Sequence, residues 1–229
     1  MSANDHLILL DIDGTLVDSQ DFIVEAQRRA FVAQGMPAPE RERALSVVGL
    51  SLLEAFTALA GKDAPVEELV QAYRSAWHQM RRDPAFEDPF FKGALDFVRM
   101  LIARGDVKLG IATGKARRGV VHLMDRTGWH DHFVTIQTAD DHPSKPAPDM
   151  ILKAMEEIGT SPQRTIMIGD TTYDMQMAKA AGVHAIGVAW GYHQGEALLH
   201  AGAEVVVEDY AHLTRTIADL LADAPASAA

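Results

Sequence analysis

The chain of 229 residues contains no cysteine. That removes disulfides, thiolate nucleophiles and cysteine-ligated zinc or iron–sulfur centres at once. No uninterrupted apolar stretch approaches the roughly 18 residues that a membrane span requires. The opening segment "MSANDHLILLD" has no basic n-region and only a short apolar run, so it does not read as a secretory leader. Positive charge is scarce too: 21 Lys and Arg stand against 32 Asp and Glu, a formal net charge of -11. A surface of that sign repels nucleic acid and anionic membranes, so neither is expected as a partner. What remains is a cytoplasmic chain, expected as a monomer or weak homodimer. Its 48% hydrophobic and 23% charged residues are those of an ordinary globular protein long enough to build a core.

Residues 7–10 form a wholly apolar run, which suits a strand buried on both faces of a parallel sheet. The same signature returns at 107–112, 133–138, 165–169 and 183–188, and more weakly at 204–207. Helical patterns fill the intervals at 92–104, 115–127, 147–158, 173–181 and 194–201, with a last one over 209–222. This alternation predicts an α/β fold, a Rossmann-like, doubly wound and mainly parallel sheet. One region departs from it. From Asp18 to Pro89 the sequence offers only helical periodicity, punctuated by Gly35, Pro37, Pro39, Gly61 and Pro65. Residues 1–17 and 90–229 are therefore expected to form the core and 18–89 an inserted helical subdomain. The tail "ADAPASAA" reads as disordered.

Ligands of doubly wound sheets bind in the crevice at the carboxyl ends of the strands, so the residues ending each strand belong together. The first strand runs into Asp11-Ile12-Asp13-Gly14-Thr15 and the second into Ala112-Thr113-Gly114-Lys115. The third leads to Ser144-Lys145-Pro146, and the fourth ends in Gly169-Asp170 with Asp174 four residues on. Two carboxylates about 4 Å apart repel by roughly 4 kcal/mol at an effective dielectric of about 20. Gathering Asp11, Asp13 and Asp170 without a counter-charge would raise at least one pKa. A divalent cation removes the repulsion, and oxygen donors without His or Cys suit Mg²⁺. Thr113 and Lys145 are then donors to the oxygens of a phosphate. Asp174 can also be read as a charge in the first turn of a helix. His130 and His132 read as surface residues, and Met150, Met155, Met175 and Met177 as core filler. The pairs Arg28-Arg29, Arg81-Arg82 and Arg117-Arg118 read as solvated helix faces, one of which could line a substrate surface.

The motifs "DIDGT", "ATGK", "SKPAPDM" and "GDTTYD", in this order over residues 11–174, together resemble the haloacid dehalogenase (HAD) superfamily. The helical insertion after the first motif resembles that family's C1-type cap. The segment "MAKAAGVHAIGVAWGYH" is similar to the phosphoglycolate phosphatase-like branch. The resemblance implies a Mg²⁺-dependent phosphatase for a small phosphorylated metabolite. In it, Asp11 is the nucleophile that becomes an aspartyl-phosphate. Asp13 serves as acid and then base, with its main-chain carbonyl on the metal. Thr113 and the Gly114 amide hold phosphoryl oxygens, and Lys145 neutralises them and orients Asp11. Asp170 ligates Mg²⁺, with Asp174 beside or just behind it.

Other readings fit less well. A sugar-phosphate mutase of the β-phosphoglucomutase type would carry a cap His and a cap Arg at places held here by Ile23 and Leu52. A dehalogenase would lack the second Asp of the first motif. A phosphate-switched receiver module would be shorter and have no helical insertion, and an inactive phosphate-binding member would not need the intact residue set. Choice of substrate is expected to lie in the insertion. The loop Gly49-Leu50-Ser51 is placed to reach inward, and its neighbours Leu52 and Leu53, rather than Arg or Lys, suggest a small substrate and little recognition of a second phosphate.

Overall fold

The computed structural model describes residues 6–82 and 89–223. Its strands are β1 (His6–Leu10), β2 (Val107–Thr113), β3 (Phe133–Thr138), β4 (Thr165–Gly169), β5 (His184–Val188) and β6 (Val205–Val207). All pair in parallel, in the order β3-β2-β1-β4-β5-β6. Four helices follow β1: α1 (Gln20–Ala33), α2 (Arg41–Leu45), α3 (Leu52–Ala60) and α4 (Val66–Met80). The others are α5 (Ala94–Ile102), α6 (Arg117–Thr127), α7 (Asp149–Ile158), α8 (Thr172–Ala181), α9 (Gly195–Ala201) and α10 (Tyr210–Asp223).

The unbroken apolar run of β1 has a direct cause. Alternate side chains of a strand point to opposite faces, and here both faces are covered. Ile8 and Leu10 pack with residues of α5, α6 and α10, while Leu7 and Leu9 pack with α7, α8 and α9. Met150, Met155, Met175 and Met177 lie in the second of these clusters, as core residues.

Helices α1, α3 and α4 close on an apolar cluster of their own that includes Phe22, Phe31, Phe56, Leu69 and Tyr73. Within it Trp77 meets Phe22 edge-on, with ring centroids 4.1 Å apart, and Tyr73 meets Phe56 at 5.6 Å. Spacing of the buried residues three and four apart along α4 (Leu69, Val70, Tyr73, Ala76, Met80) gives the helix one apolar stripe. The chain leaves and re-enters the sheet region at a single paired crossing. Val17 bridges Phe90 antiparallel, Asp18 N–H donates to the Pro89 carbonyl at 2.8 Å, and Phe91 N–H donates to the Leu16 carbonyl at 3.0 Å. Residues 224–229 of the tail expected to be disordered lie outside the described residues. Among the described residues no helix is long and apolar enough to cross a membrane.

Candidate active site

The strand order reverses direction between β1 and β4, so the crevice of this sheet opens at their carboxyl ends. Asp11 follows β1 there and Asp170 follows β4. Thr113 closes β2 on the other side of β1. All three are at most 1% exposed. Lys145 reaches the same place from the loop after β3, through a segment that contains a cis Lys145-Pro146 bond. Its ammonium lies 2.9 Å from Asp11 Oδ2 and 2.5 Å from Asp174 Oδ1.

Asp174 lies in the first turn of α8, as its sequence position allowed, and is fully buried. It closes a capping box at the start of α8, its Oδ2 accepting from Thr171 N–H at 3.1 Å and Thr171 Oγ1 at 2.6 Å. Its other oxygen holds Lys145, so the helix cap is also the anchor for that ammonium. Asp170 accepts from Thr15 Oγ1 at 2.9 Å and from Tyr192 N–H at 3.0 Å. The Asp13-Gly14 turn runs against it so closely that a Cβ on Gly14 would lie 2.1 Å from Asp170 Oδ2, and Gly14 has φ +83°. Only glycine meets both conditions.

Asp13 points elsewhere. Both its oxygens meet the Lys115 ammonium, at 2.6 and 2.9 Å, and Oδ1 also accepts from Ser19 Oγ at 2.6 Å. Tyr192 OH in turn accepts from Ser19 N–H at 3.0 Å. Lys115 Nζ sits 4.8 Å from the ring centroid of Trp77, which belongs to the insertion. A cation over an indole face is attracted by its quadrupole, so Lys115 joins Asp13 to the helical layer. The sequence reading gave no role to the side chains of Lys115, Ser19, Thr15 and Tyr192, because most of their partners lie far along the chain.

The buried charges do not balance. Asp11, Asp170 and Asp174 offer oxygens within 4.8 Å of one another, against the single ammonium of Lys145. Burial, aided by Asp174, pushes the Asp11 carboxyl up to about 6, although Lys145 and the Thr113 hydroxyl pull the other way. Asp170 is raised by burial and by Asp174 and Asp11. For Lys145, burial alone would lower the pKa, but Asp11 and Asp174 override it and hold the ammonium firmly charged. A buried, all-carboxylate cluster with excess negative charge is the donor set that a hard divalent cation fits. Asp13 contributes no side-chain oxygen to this cluster. His130 is exposed and contacts Asp125 at 2.8 Å, away from this cluster.

A cavity of about 1010 Å³ opens between the insertion and the strand ends, and Asp11, Asp13, Thr113, Gly114 and Lys115 line it. The loop between α2 and α3 seals one side. Ser51 N–H donates to Ser144 Oγ at 2.8 Å, next to Lys145, and Tyr173 OH donates to the Ser46 carbonyl at 3.1 Å. Ile23, Leu50 and Leu52 face the cavity, whereas Leu53 is exposed outside it. The loop approaches Gly114 so tightly that a Cβ there would lie 2.4 Å from the Gly49 carbonyl oxygen and 2.9 Å from that of Leu50. Gly114→Ala should therefore keep the insertion from seating. We expect turnover to fall at least about tenfold, with a change in Tm of only a few degrees, since the clash lies outside the three apolar clusters. Unchanged kinetics in this variant would mean that the closed arrangement does not matter.

Comparison with known proteins agrees with this geometry. The description of the Haloacid dehalogenase-like hydrolase family matches residues 8–188. A protein of Dickeya dadantii named "Probable phosphatase IndB" is 34% identical over 212 residues, covering 90% of this chain and 91% of that protein. The phosphoglycolate phosphatase of Escherichia coli K12 is 31% identical over 222 residues, covering 88% of each. The structure of a haloacid dehalogenase-like family hydrolase of Streptococcus pneumoniae superposes with a TM-score of 0.80 at 26% identity, covering 94% of this chain and all of that one. The parallel sheet, the strand-end residues and the extent of these matches converge on one statement: the chain belongs to the haloacid dehalogenase-like hydrolases.

Proposed function

We propose that the protein is a Mg²⁺-dependent phosphomonoesterase acting on a small phosphorylated metabolite through an aspartyl-phosphate on Asp11. The observation that carries this reading is the placement of Asp11. It is buried at the switch point, held by Ile12 N–H at 2.7 Å on one oxygen and by Lys145 on the other. Those contacts fix the carboxylate, so attack on phosphorus needs little rearrangement.

In the first half-reaction an Asp11 oxygen forms a bond to phosphorus while the ester P–O bond breaks. Thr113, the Gly114 amide and Lys145 neutralise the phosphoryl oxygens, and Asp13 gives a proton to the departing oxygen. In the second, a water oxygen bonds to phosphorus, Asp13 takes the water proton, and Asp11 leaves as a free carboxylate. Lys115 and Ser19 aim Asp13, and the Trp77 contact makes that aim depend on the seated insertion. Asp11, Asp170 and the Asp13 main-chain carbonyl would hold the metal, with Asp174 behind them. When bound, Mg²⁺ supplies positive charge against the phosphoryl oxygens. A mutase reading gains nothing from the cavity wall, where apolar Ile23 and Leu52 replace the expected His and Arg.

Chelation tests the metal directly. EDTA should abolish hydrolysis of p-nitrophenyl phosphate, and Mg²⁺ should restore it. Ca²⁺ should support it poorly, because its larger, looser coordination admits both Asp11 oxygens and ties down the nucleophile. Full activity in chelator would exclude the metal from the mechanism.

A further inference from the structure

Residues 190–193 follow β5 and lie outside the four motifs that carry the family resemblance. All four bear on the site. Trp190 Nε1 donates to the Thr15 carbonyl at 3.0 Å, and Tyr210 OH donates to the same oxygen at 2.6 Å. Together they pin the turn that carries Asp13. A Cβ on Gly191 would lie 2.1 Å from Asp170 Cβ, so only glycine lets the chain pass there. Tyr192 N–H donates to Asp170 Oδ2 at 3.0 Å, and His193 N–H to the Asp170 carbonyl at 3.3 Å.

The Tyr192 phenol meets a different partner. Ser19 N–H donates to its oxygen at 3.0 Å, and the two hydroxyl oxygens lie 3.2 Å apart. Ser19 Oγ gives its single proton to Asp13 Oδ1 at 2.6 Å, since an ionised carboxylate only accepts. The bond between the hydroxyls must then run from Tyr192 to Ser19. Every proton of this chain is committed in one direction, and the chain ends on Asp13. Ser19 also holds the N-cap position of α1, where a serine oxygen ordinarily accepts from an amide two or three residues on. Among the described residues it makes no such bond. The phenol takes the place of that amide, and so keeps Ser19 turned toward Asp13 rather than toward its own helix.

We infer that Tyr192 is a positioning residue for proton transfer: its hydroxyl, acting through Ser19, holds the Asp13 carboxyl where it meets the leaving-group oxygen. This rests on the phosphatase reading above and adds a residue to it. One loop then serves both halves of the centre, Asp170 through main-chain donors and Asp13 through a side chain.

The two functions of Tyr192 can be separated, because Tyr192→Phe removes the hydroxyl and keeps the N–H. The readout is kcat/KM at saturating Mg²⁺ for an alkyl phosphate, divided by that for p-nitrophenyl phosphate. Both constants end at phosphoryl transfer to Asp11, and only the alkyl ester needs the proton at that step. Tyr192→Phe should lower the ratio about tenfold. Ser19→Ala should lower it by a similar factor, Ser19→Thr should restore it, and Ser19→Ala/Tyr192→Phe should fall no further than the single variants, as expected of one chain. The Mg²⁺ dissociation constant of Tyr192→Phe, measured by calorimetry, should stay at the wild-type value. A parallel fall of both esters at an unchanged ratio, or additive losses in the double variant, would overturn the inference while the phosphatase reading stands. Weakened Mg²⁺ binding in Tyr192→Phe would also overturn it, by assigning the hydroxyl to the Asp170 side. A wild type that turns over no ester at all overturns the phosphatase reading, and this inference with it.

Discussion

Asp11→Asn should lower turnover by about 10⁴-fold or more while making the metal-free protein more stable. The loss of activity follows from removing the nucleophile at nearly constant volume. The gain in stability follows from burial. Asp11 has a folded pKa of about 6 against a reference of 3.8. A carboxyl whose folded pKa is raised favours folding in its protonated form. That contribution is complete below the unfolded pKa and is lost as pH rises through the folded one. The carboxamide of the variant cannot ionise and escapes the loss. In EDTA, the Tm of the variant minus that of the wild type should therefore grow by several degrees between about pH 4 and about pH 7. Mg²⁺ should shrink the difference by stabilising the wild type. A pH-independent difference would contradict the assignment of excess buried charge to Asp11. Retained activity in a folded variant would contradict its chemical role.

Asp13→Asn should separate the two half-reactions. The side chain stands outside the Asp11–Asp170–Asp174 cluster, bound to Lys115 and Ser19, so its amide should leave the nucleophile and the metal donors in place. With p-nitrophenolate as leaving group little protonation is needed, and phosphoryl transfer to Asp11 continues. Hydrolysis of the aspartyl-phosphate then lacks its base, a loss of about 10²–10⁴-fold. Rapid mixing should show a burst of about one equivalent of p-nitrophenolate per enzyme, followed by a slow steady state. Alkyl phosphates, which do need the proton, should show no burst. An unchanged steady-state rate would remove Asp13 from both steps.

The framework of this molecule was legible because a strand buried on both faces reads as an unbroken apolar run. All six strands fall where such runs lie, to within one residue at each end. The helix at 115–127 starts two residues later than its periodicity suggests, because Gly114, Lys115 and Ala116 stay outside the helix. Lys115 thus stands before the helix, where its ammonium meets Asp13. Helix α2 carried no signal: five residues, Arg-Glu-Arg-Ala-Leu, are too few to show a period. In the site, Asp11, Thr113, Lys145, Asp170 and Asp174 could be found because each ends a strand or sits in a short motif near one. The contacts that aim Asp13 could not. Lys115 meets Trp77 only because two layers close on each other, and Ser19 meets Tyr192 across 173 positions of chain. Arg81-Arg82 and Arg117-Arg118 look like ordinary solvated pairs, yet Arg81, Arg82 and Arg118 line one cavity.

The covalent step is tested most directly by trapping it. Asp13→Asn protein, mixed with p-nitrophenyl phosphate and Mg²⁺ and quenched in acid during the burst, should carry one phosphoryl group by intact mass. Borohydride reduction and peptide mapping should place that group on residue 11, and the Asp11→Asn/Asp13→Asn protein should carry none. A burst without phosphoenzyme, or a phosphoryl group mapped to any other side chain, would contradict the account.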